Sequence, residues 1–451
     1  TPTDDVIYEG NETAIVAISS VSGADAVEDG TQSETITITE NDSSPIITLS
    51  TSASSILENA GSSLTLTATT SIAASEDIVV SISTTGSGTE GTDYATVSDI
   101  TISAGDLTGT SSFTPTDDTT YEGNETGIIA IDNVSGADAA EDGTQSETLT
   151  ITENESAPVV TLSTSASSIL ENAVSSLTLT ATLSVATTED VTVGISTSGT
   201  GTEGTDYGTI SDIIISAGDL TATTSFTPTN DSIYELNETA IVAIDTVSGG
   251  SATEDGDQSE TLTITNDESA PQASLSSTGG ASEDGGTSTL TATLSGVTYQ
   301  DVSVVINQYG GTGVLNTDYS LSSSTITILA GNTTGTITLT CIDDSLWSGD
   351  MTMSFEVASV SGGGASENGT QTTGINCQDD ESAPTVLLSS STSSVDENSA
   401  SNITLTATLS GTTDSAITVA LDTSGSATEG TDYSDDGGTS TLNDIVISAG
   451  A

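Results

Sequence analysis

Residues 98–133 read SDITISAGDLTGTSSFTPTDDTTYEGNETGIIAIDN. Ile100 and Ile102 alternate with polar residues, Ala104-Gly105-Asp106 is a turn signal, and an acid-rich run leads into Ile128 and Ile129. The same period of two appears on either side, at Leu64, Leu66 and Ala68 and at Leu149 and Ile151, with Thr and Ser between. Period two means one buried face and one solvated face, and Thr favours the pleated strand. Seven strands are expected near 46–57, 63–70, 77–84, 98–103, 108–114, 124–133 and 145–153, with further turns at 86–91 and 136–143. No segment has the 3.6-residue period of an amphipathic helix. Seven short strands with polar turns predict an all-β fold, an immunoglobulin-like two-sheet sandwich.

The pattern repeats. Pro45, Pro158, Pro271 and Pro384 are 113 residues apart, each closing the tripeptide SAP or SSP. The period suits one sandwich rather than one coil of a solenoid. Three full units are expected at 45–157, 158–270 and 271–383, with a C-terminal half-unit at 1–44 and an N-terminal half-unit at 384–451. Glu153-Asn154-Glu155 is followed at once by Pro158, so the junctions carry no flexible linker and are expected to be tight. The half-units read as a window on a longer array, or as halves that neighbouring copies complete head to tail. The start at Thr1, without Met or a basic leader, reads as a processed or excerpted chain.

The chain has 451 residues, 66 of them acidic, and no Lys, Arg or His, giving a formal charge of −66. Such a surface opposes its own compaction unless salt or bound cations compensate it. Nucleic-acid binding and basic-patch binding to anionic lipid are excluded, because both need Lys or Arg. No apolar stretch is long enough for a membrane helix.

The acids are clustered at strand ends. In 45–157 they are Glu58; Asp93 before Tyr94; Asp117, Asp118, Glu122 and Glu125; and Glu153 and Glu155 flanking Asn154. Calcium takes six to eight oxygen ligands, more than any one of these loops supplies, but four loops meeting at one end of a sandwich suffice. Zinc and copper are disfavoured without His and with scarce thiols, and magnesium prefers small sites that keep several waters.

The string GTEGTDY…ISAGDLTGTSSFTPTDDTTYEGNET…LTITENE, which covers most of a unit, resembles the Calx-beta domain, known from sodium–calcium exchangers and large surface proteins. The resemblance extends over all three units and both halves. It implies a seven-strand sandwich with calcium at one end. It also implies ligands at the acid after the first strand, the Asp before Tyr, the Asp-Asp…Glu…Glu run and the acids ending the last strand. In the second unit these are Glu171, Asp206, Asn230, Asp231, Glu235, Glu238, Asn266, Asp267 and Glu268. In the third they are Glu283, Asp318, Asp343, Asp344, Asp379, Asp380 and Glu381; the halves carry Asp4, Asp5, Glu9, Glu12, Glu40 and Asp42, and Glu397 and Asp432. The third unit departs from the pattern: Ser348 and Met351 stand where the first has Glu122 and Glu125, with Asp350 a possible replacement, so fewer or weaker calcium sites are expected there.

Cys341 and Cys377, the only cysteines, each stand two residues before an Asp-Asp pair, at strand ends leading to one site. A disulfide is expected there, two buried thiols being the alternative. It would contribute about 3–4 kcal/mol and partly offset the poorer cation site. Tyr8, Tyr121, Tyr234 and Trp347 share one repeat position and read as packing residues behind the metal loops. The sequons at Asn11, Asn124 and Asn237 fall inside those loops; Asn332 and Asn402 are freer.

No catalytic constellation appears, and carboxylates repeated in every unit suit metal scaffolding better than a single active site. The expectation is an extracellular, calcium-rigidified rod of roughly 150 Å, at ~35–45 Å per sandwich by strand rise, in an adhesin shaft or a filament or sheath. Its partners would be further copies of the repeat. The rivals are an adhesin face that grips glycan or ice, motivated by Thr-rich strands such as 65–70, and a calcium-sensing regulatory module.

Overall fold

The computed structural model of the chain describes residues 1–399, 401–435 and 442–451. Its described residues form strands and turns without a helix, and among them no helix is long and apolar enough to cross a membrane. The chain packs as two compact units. One comprises 1–167, 175–227 and 240–262; the other comprises 168–174, 228–239 and 263–451.

In the first unit, residues 45–157 form two sheets. One runs in the order Thr108–Phe113, Leu64–Thr70, Ile46–Thr51, Ala140–Glu141. The other runs Ser55–Leu57, Ser146–Thr152, Glu125–Ser135, Ile78–Gly86, Ile100–Ile102. The alternation in the sequence sets which side chains meet. Leu64, Leu66 and Ala68 are buried, with Thr65 exposed between them, and they face Val80, Ile100, Ile129 and Leu149 from the other sheet. Tyr94 lies in this core with its ring centroid 4.6 Å from that of Phe113.

The expected strand 46–57 is divided. Ile46–Thr51 pairs antiparallel with Leu64–Thr70, whereas Ser55–Leu57 crosses over and pairs parallel with Ser146–Thr152 in the opposite sheet. Leu57 stands opposite Thr152, and the Glu58 N–H donates to the Thr152 carbonyl at 3.0 Å. The crossing therefore delivers Glu58 beside Glu153.

The same unit holds the four-stranded sheet of the second repeat, ordered Thr221–Phe226, Leu177–Leu183, Val159–Thr164, Thr253–Glu254. In the other compact unit, Ser168–Leu170 pairs parallel with 263–265. That unit also holds the third repeat whole. Its sheets run Tyr319–Leu321, Thr334–Cys341, Thr287–Leu294, Gln272–Ser277, Ser366–Glu367 and Ala281–Ser282, Thr372–Gln378, Met351–Ser361, Val302–Gly311, Thr325–Ile328. Cys341 and Cys377 are joined by a disulfide between these two sheets.

Strands of two residues link successive repeats. Ile7–Tyr8 pairs with Ala73–Ala74 and Thr120–Tyr121 with Ala186–Thr187 in one unit; Ile233–Tyr234 pairs with Val297–Thr298 in the other. Trp347 bridges Thr413 in the same manner. The shared aromatic position is thus a junction residue: the Tyr8 hydroxyl donates to Asp138 Oδ2 at 2.9 Å.

Candidate metal centre

Two acidic groups form at one end of the 45–157 sandwich. Glu58, Glu153 and Glu155 each bring an oxygen within 4.8 Å of the others, and so do Asp93, Glu122 and Glu125. The fold explains the convergence. Glu58 follows the crossing strand, Glu153 and Glu155 follow the last strand, and Glu125 opens the strand opposite Ile151. Asp93 is fastened by its Oδ2, which accepts the Thr89 N–H, and its carbonyl accepts the Thr116 N–H at 2.9 Å. The Asp118 N–H reaches Glu58 Oε1 at 3.3 Å.

Glu153 has a second duty. Its Oε2 accepts the Glu122 and Gly123 N–H groups at 2.7 and 2.9 Å, and its Oε1 accepts those of Asn154 and Glu155, both at 2.9 Å. Burial alone would raise its pKa, but these N–H donors hold it below the ordinary carboxylate value. It clamps the loop as well as facing the site. Glu40 does the same in 1–44, accepting Glu9, Gly10, Asn41 and Asp42 N–H groups.

The neighbours are strained the other way. Glu58 is only 7 % exposed, and burial pushes it up to about 7, with Glu153 and Glu155 adding to the rise. Glu125 is likewise pushed up to about 7, first by burial and then by Asp93 and Glu122, and Glu122 is raised by burial and Asp93. Glu155 is raised chiefly by its hydrogen bond with Glu153.

In the second repeat, Glu171, Asp267 and Glu268 gather within 4.8 Å; Glu171 is 6 % exposed and is raised to about 7 by burial. The Asp231 N–H donates to Glu171 Oε1 at 3.1 Å, and Asn266 Oδ1 takes the Glu235 N–H, as Glu153 takes that of Glu122. Asn230 is exposed, its amide donating to the Asp231 carbonyl. Asp206 accepts the Thr202 N–H, and Glu238 opens the strand Glu238–Ser248. Asp206, Glu235 and Glu238 lie one 113-residue period beyond Asp93, Glu122 and Glu125.

In the third repeat, Glu283, Asp379 and Glu381 gather within 4.8 Å. Glu283 is 2 % exposed and raised to about 7, first by burial and then by Asp344 and Asp379. Asp379 clamps the loop through the Ser348 and Gly349 N–H groups. Asp318 accepts the Val314 N–H. Asp350 is exposed and accepts the Asn376 amide at 3.2 Å; Asp343 and Asp344 are exposed, and Asp380 adds to the rise at Glu283. In the halves, Asp4 accepts the Asn41 amide, Asp5 the Ile7 N–H and Asp432 the Thr428 N–H, while Glu9, Glu12 and Glu397 are exposed.

The donor set fits a hard cation. Glu155 Oε2, Glu268 Oε2, Glu283 Oε2, Glu381 Oε2 and Asn154 Oδ1 are buried without a hydrogen-bond partner. A buried polar oxygen left so is costly, and the chain has no Lys, Arg or His to supply the missing charge. Clustered carboxylate and amide oxygens without imidazole or free thiol are the ligands calcium takes. Sequence reasoning missed Asp138, which meets Tyr8 across a junction, and Glu90, whose carboxylate braces the Asp93 loop through Val97 N–H and the Thr84 hydroxyl. Glu90 recurs as Glu203 in the motif TEGTDY or TEGTDYG, which was its available signal.

The Calx-beta domain family model matches residues 40–155, 153–269, 275–381 and 379–442, and the chain belongs to this family of calcium-binding, non-catalytic domains. A search of curated proteins returned no match. Among solved structures, the chain is similar to the calcium binding domain CBD12 of CALX1.1, at 14 % identity over 47 % of this chain and 96 % of that one, with a TM-score of 0.22. It is also similar to invasin, a bacterial integrin-binding protein, at 15 % identity over 76 % of this chain and 62 % of that one, with a TM-score of 0.25.

Proposed function

We propose that this chain is a calcium-stiffened stretch of an extracellular surface protein, forming part of an adhesin shaft or of a filament or sheath. One observation carries the reading. The two-residue strand Thr120–Tyr121, which pairs with the next repeat, lies between Asp118 and Glu122, inside the loop that builds the acidic site. Glu58, Glu153 and Glu155 with Asp118, and Asp93 with Glu122 and Glu125, would hold the ions. Bound calcium supplies positive charge to a chain of −66 and fixes these carboxylates. The loop's own residues then keep the junction strand in register: the Thr120 N–H on Asp118 and the Glu122 N–H on Glu153. The second repeat repeats the arrangement around Ile233–Tyr234, between Asp231 and Glu235. The test is chelation, followed by calorimetric melting and small-angle scattering. A lower melting temperature and a broader distribution of particle lengths are expected; unchanged stability and length refute the reading.

A second reading, that one face grips a neutral ligand such as a glycan, rests on the sheet of Leu64–Thr70. Its outward positions form cross-strand rows, Thr48–Thr69–Thr108 and Ser50–Thr67–Thr110, and the second repeat has Thr161–Thr182–Thr221. No acid stands in these rows, on a chain otherwise crowded with them. A glycan array discriminates: specific hits favour the gripping face, none the shaft alone.

A further inference from the structure

We propose that in the third repeat the Cys341–Cys377 disulfide replaces the second cation cluster as the lock on the loop that joins this repeat to the following one. The inference rests on the calcium reading above for what the earlier repeats do.

The substitutions come as a set. By the alignment of the Asp-Asp pairs, Ser348 and Met351 stand where the first repeat has Glu122 and Glu125, and Cys341 and Cys377 stand where it has Pro115 and Ile151. Two carboxylates are lost and two thiols gained at the same end of the same domain. The other cluster is kept, with Glu283 Oε2 and Glu381 Oε2 still buried and unpartnered.

The geometry makes the exchange effective. Loop 342–350 leaves the strand Thr334–Cys341 in one sheet and enters Met351–Ser361 in the other. Met351 stands opposite Cys377 in the ladder, and Cys341 is bonded to Cys377. Both ends of the loop are thereby pinned to one residue. In the first repeat the corresponding ends have no covalent tie, and the group Asp93, Glu122 and Glu125 spans the gap instead. Loop 342–350 carries the junction: the Trp347 N–H donates to the Thr412 carbonyl at 2.9 Å, and the Thr412 hydroxyl donates to the Ser345 carbonyl at 2.7 Å. The junction loops around Tyr121 and Tyr234 would thus loosen when calcium is removed, and this one when the disulfide is broken.

Trp347 is the only tryptophan in the chain and sits half-buried in this loop, so its fluorescence reads the junction alone. The full chain is measured with calcium, with chelator, and with chelator plus a dithiol. The dithiol gives two electrons and two protons to the S–S bond and closes to its own cyclic disulfide. Chelator alone should leave most of the Trp347 protection from acrylamide quenching; adding the dithiol should shift its emission to the red and remove that protection. Cys341→Pro with Cys377→Ile should lose protection in chelator without reductant, and adding Ser348→Glu and Met351→Glu should restore it only with calcium. If the variants fail to fold, reduction of the parent chain decides. Trp347 moving as far with chelator alone as with chelator and dithiol overturns the proposal, as does Trp347 unmoved by reduction. Calorimetry on the same samples separates the two readings: no calcium heat from the full chain ends the calcium reading, while a reduction-dependent Trp347 leaves the disulfide lock standing.

Discussion

Lowering the pH from 8 to 6 should weaken calcium binding at the Glu58, Glu153 and Glu155 group about tenfold. Burial pushes Glu58 up to about 7, and Glu171 and Glu283 hold the same place in their repeats with the same rise. A cation takes the ionised form, so it must displace a proton from each. For a group at about 7, the ionised fraction falls from about 0.9 at pH 8 to about 0.1 at pH 6, and the apparent affinity falls in proportion. Isothermal titration calorimetry at constant ionic strength gives the affinity. Repeating it at pH 7 in buffers of different ionisation heat counts the protons released, about one half for each such carboxylate. Glu58→Gln should remove the pH dependence of that cluster along with much of its affinity. An affinity that is flat between pH 6 and 8, with no proton release, would refute the argument that these buried carboxylates are the ligands.

Without metal the same groups reverse the sign for folding. The folded chain holds protons on Glu58, Glu171 and Glu283 that the unfolded chain releases above the ordinary value of 4.5, so stability falls as pH rises from there to about 7. In chelator, a higher melting temperature at pH 5 than at pH 8 is expected; the opposite order would contradict their burial. Glu171→Gln, which fixes the neutral form, should raise the chelator melting temperature at pH 8 while weakening calcium's stabilising effect. Gly136→Ala should destabilise the first repeat by about 1–3 kcal/mol, read by chemical denaturation, because φ is +96° and a Cβ would lie 2.2 Å from the Asp77 carbonyl. Tyr8→Phe should cost about 0.5–1.5 kcal/mol at its junction through the lost bond to Asp138, read as faster hydrogen exchange at Ala73 and Ala74.

The long strands were legible because alternation over several residues is itself the signature of a half-buried sheet. Leu64, Leu66 and Ala68 could only point one way once Thr65 and Thr67 pointed the other. The division of 46–57 was not legible, since Ser52-Ala53-Ser54 continues the small polar residues Ser50, Thr51 and Ser55 without a Gly or Pro break, and alternation does not record which sheet a strand joins. The junction strands are two residues long, shorter than one period. The convergence of Glu58, Glu153 and Glu155 followed from acids at strand ends. The clamp made by Glu153 did not, because a carboxylate that binds N–H groups and one that awaits a cation are spelled alike. Asp350 shows the converse: an acid near a site in sequence can turn to a local amide, here Asn376.

The crossing of the first strand also decides how a repeat answers tension. The chain enters near Ile46 and leaves near Thr152, and Ser55–Leu57 lies parallel to the exit strand. Pulling on the two ends drives these segments in opposite directions along a common axis. Their hydrogen bonds are then loaded together in shear, rather than opened one at a time as in a peeled hairpin. Glu58 and Glu153 follow at the matched ends of the two sliding segments, so an ion between them would act as a shear pin, and the force to rupture a repeat would depend on free calcium.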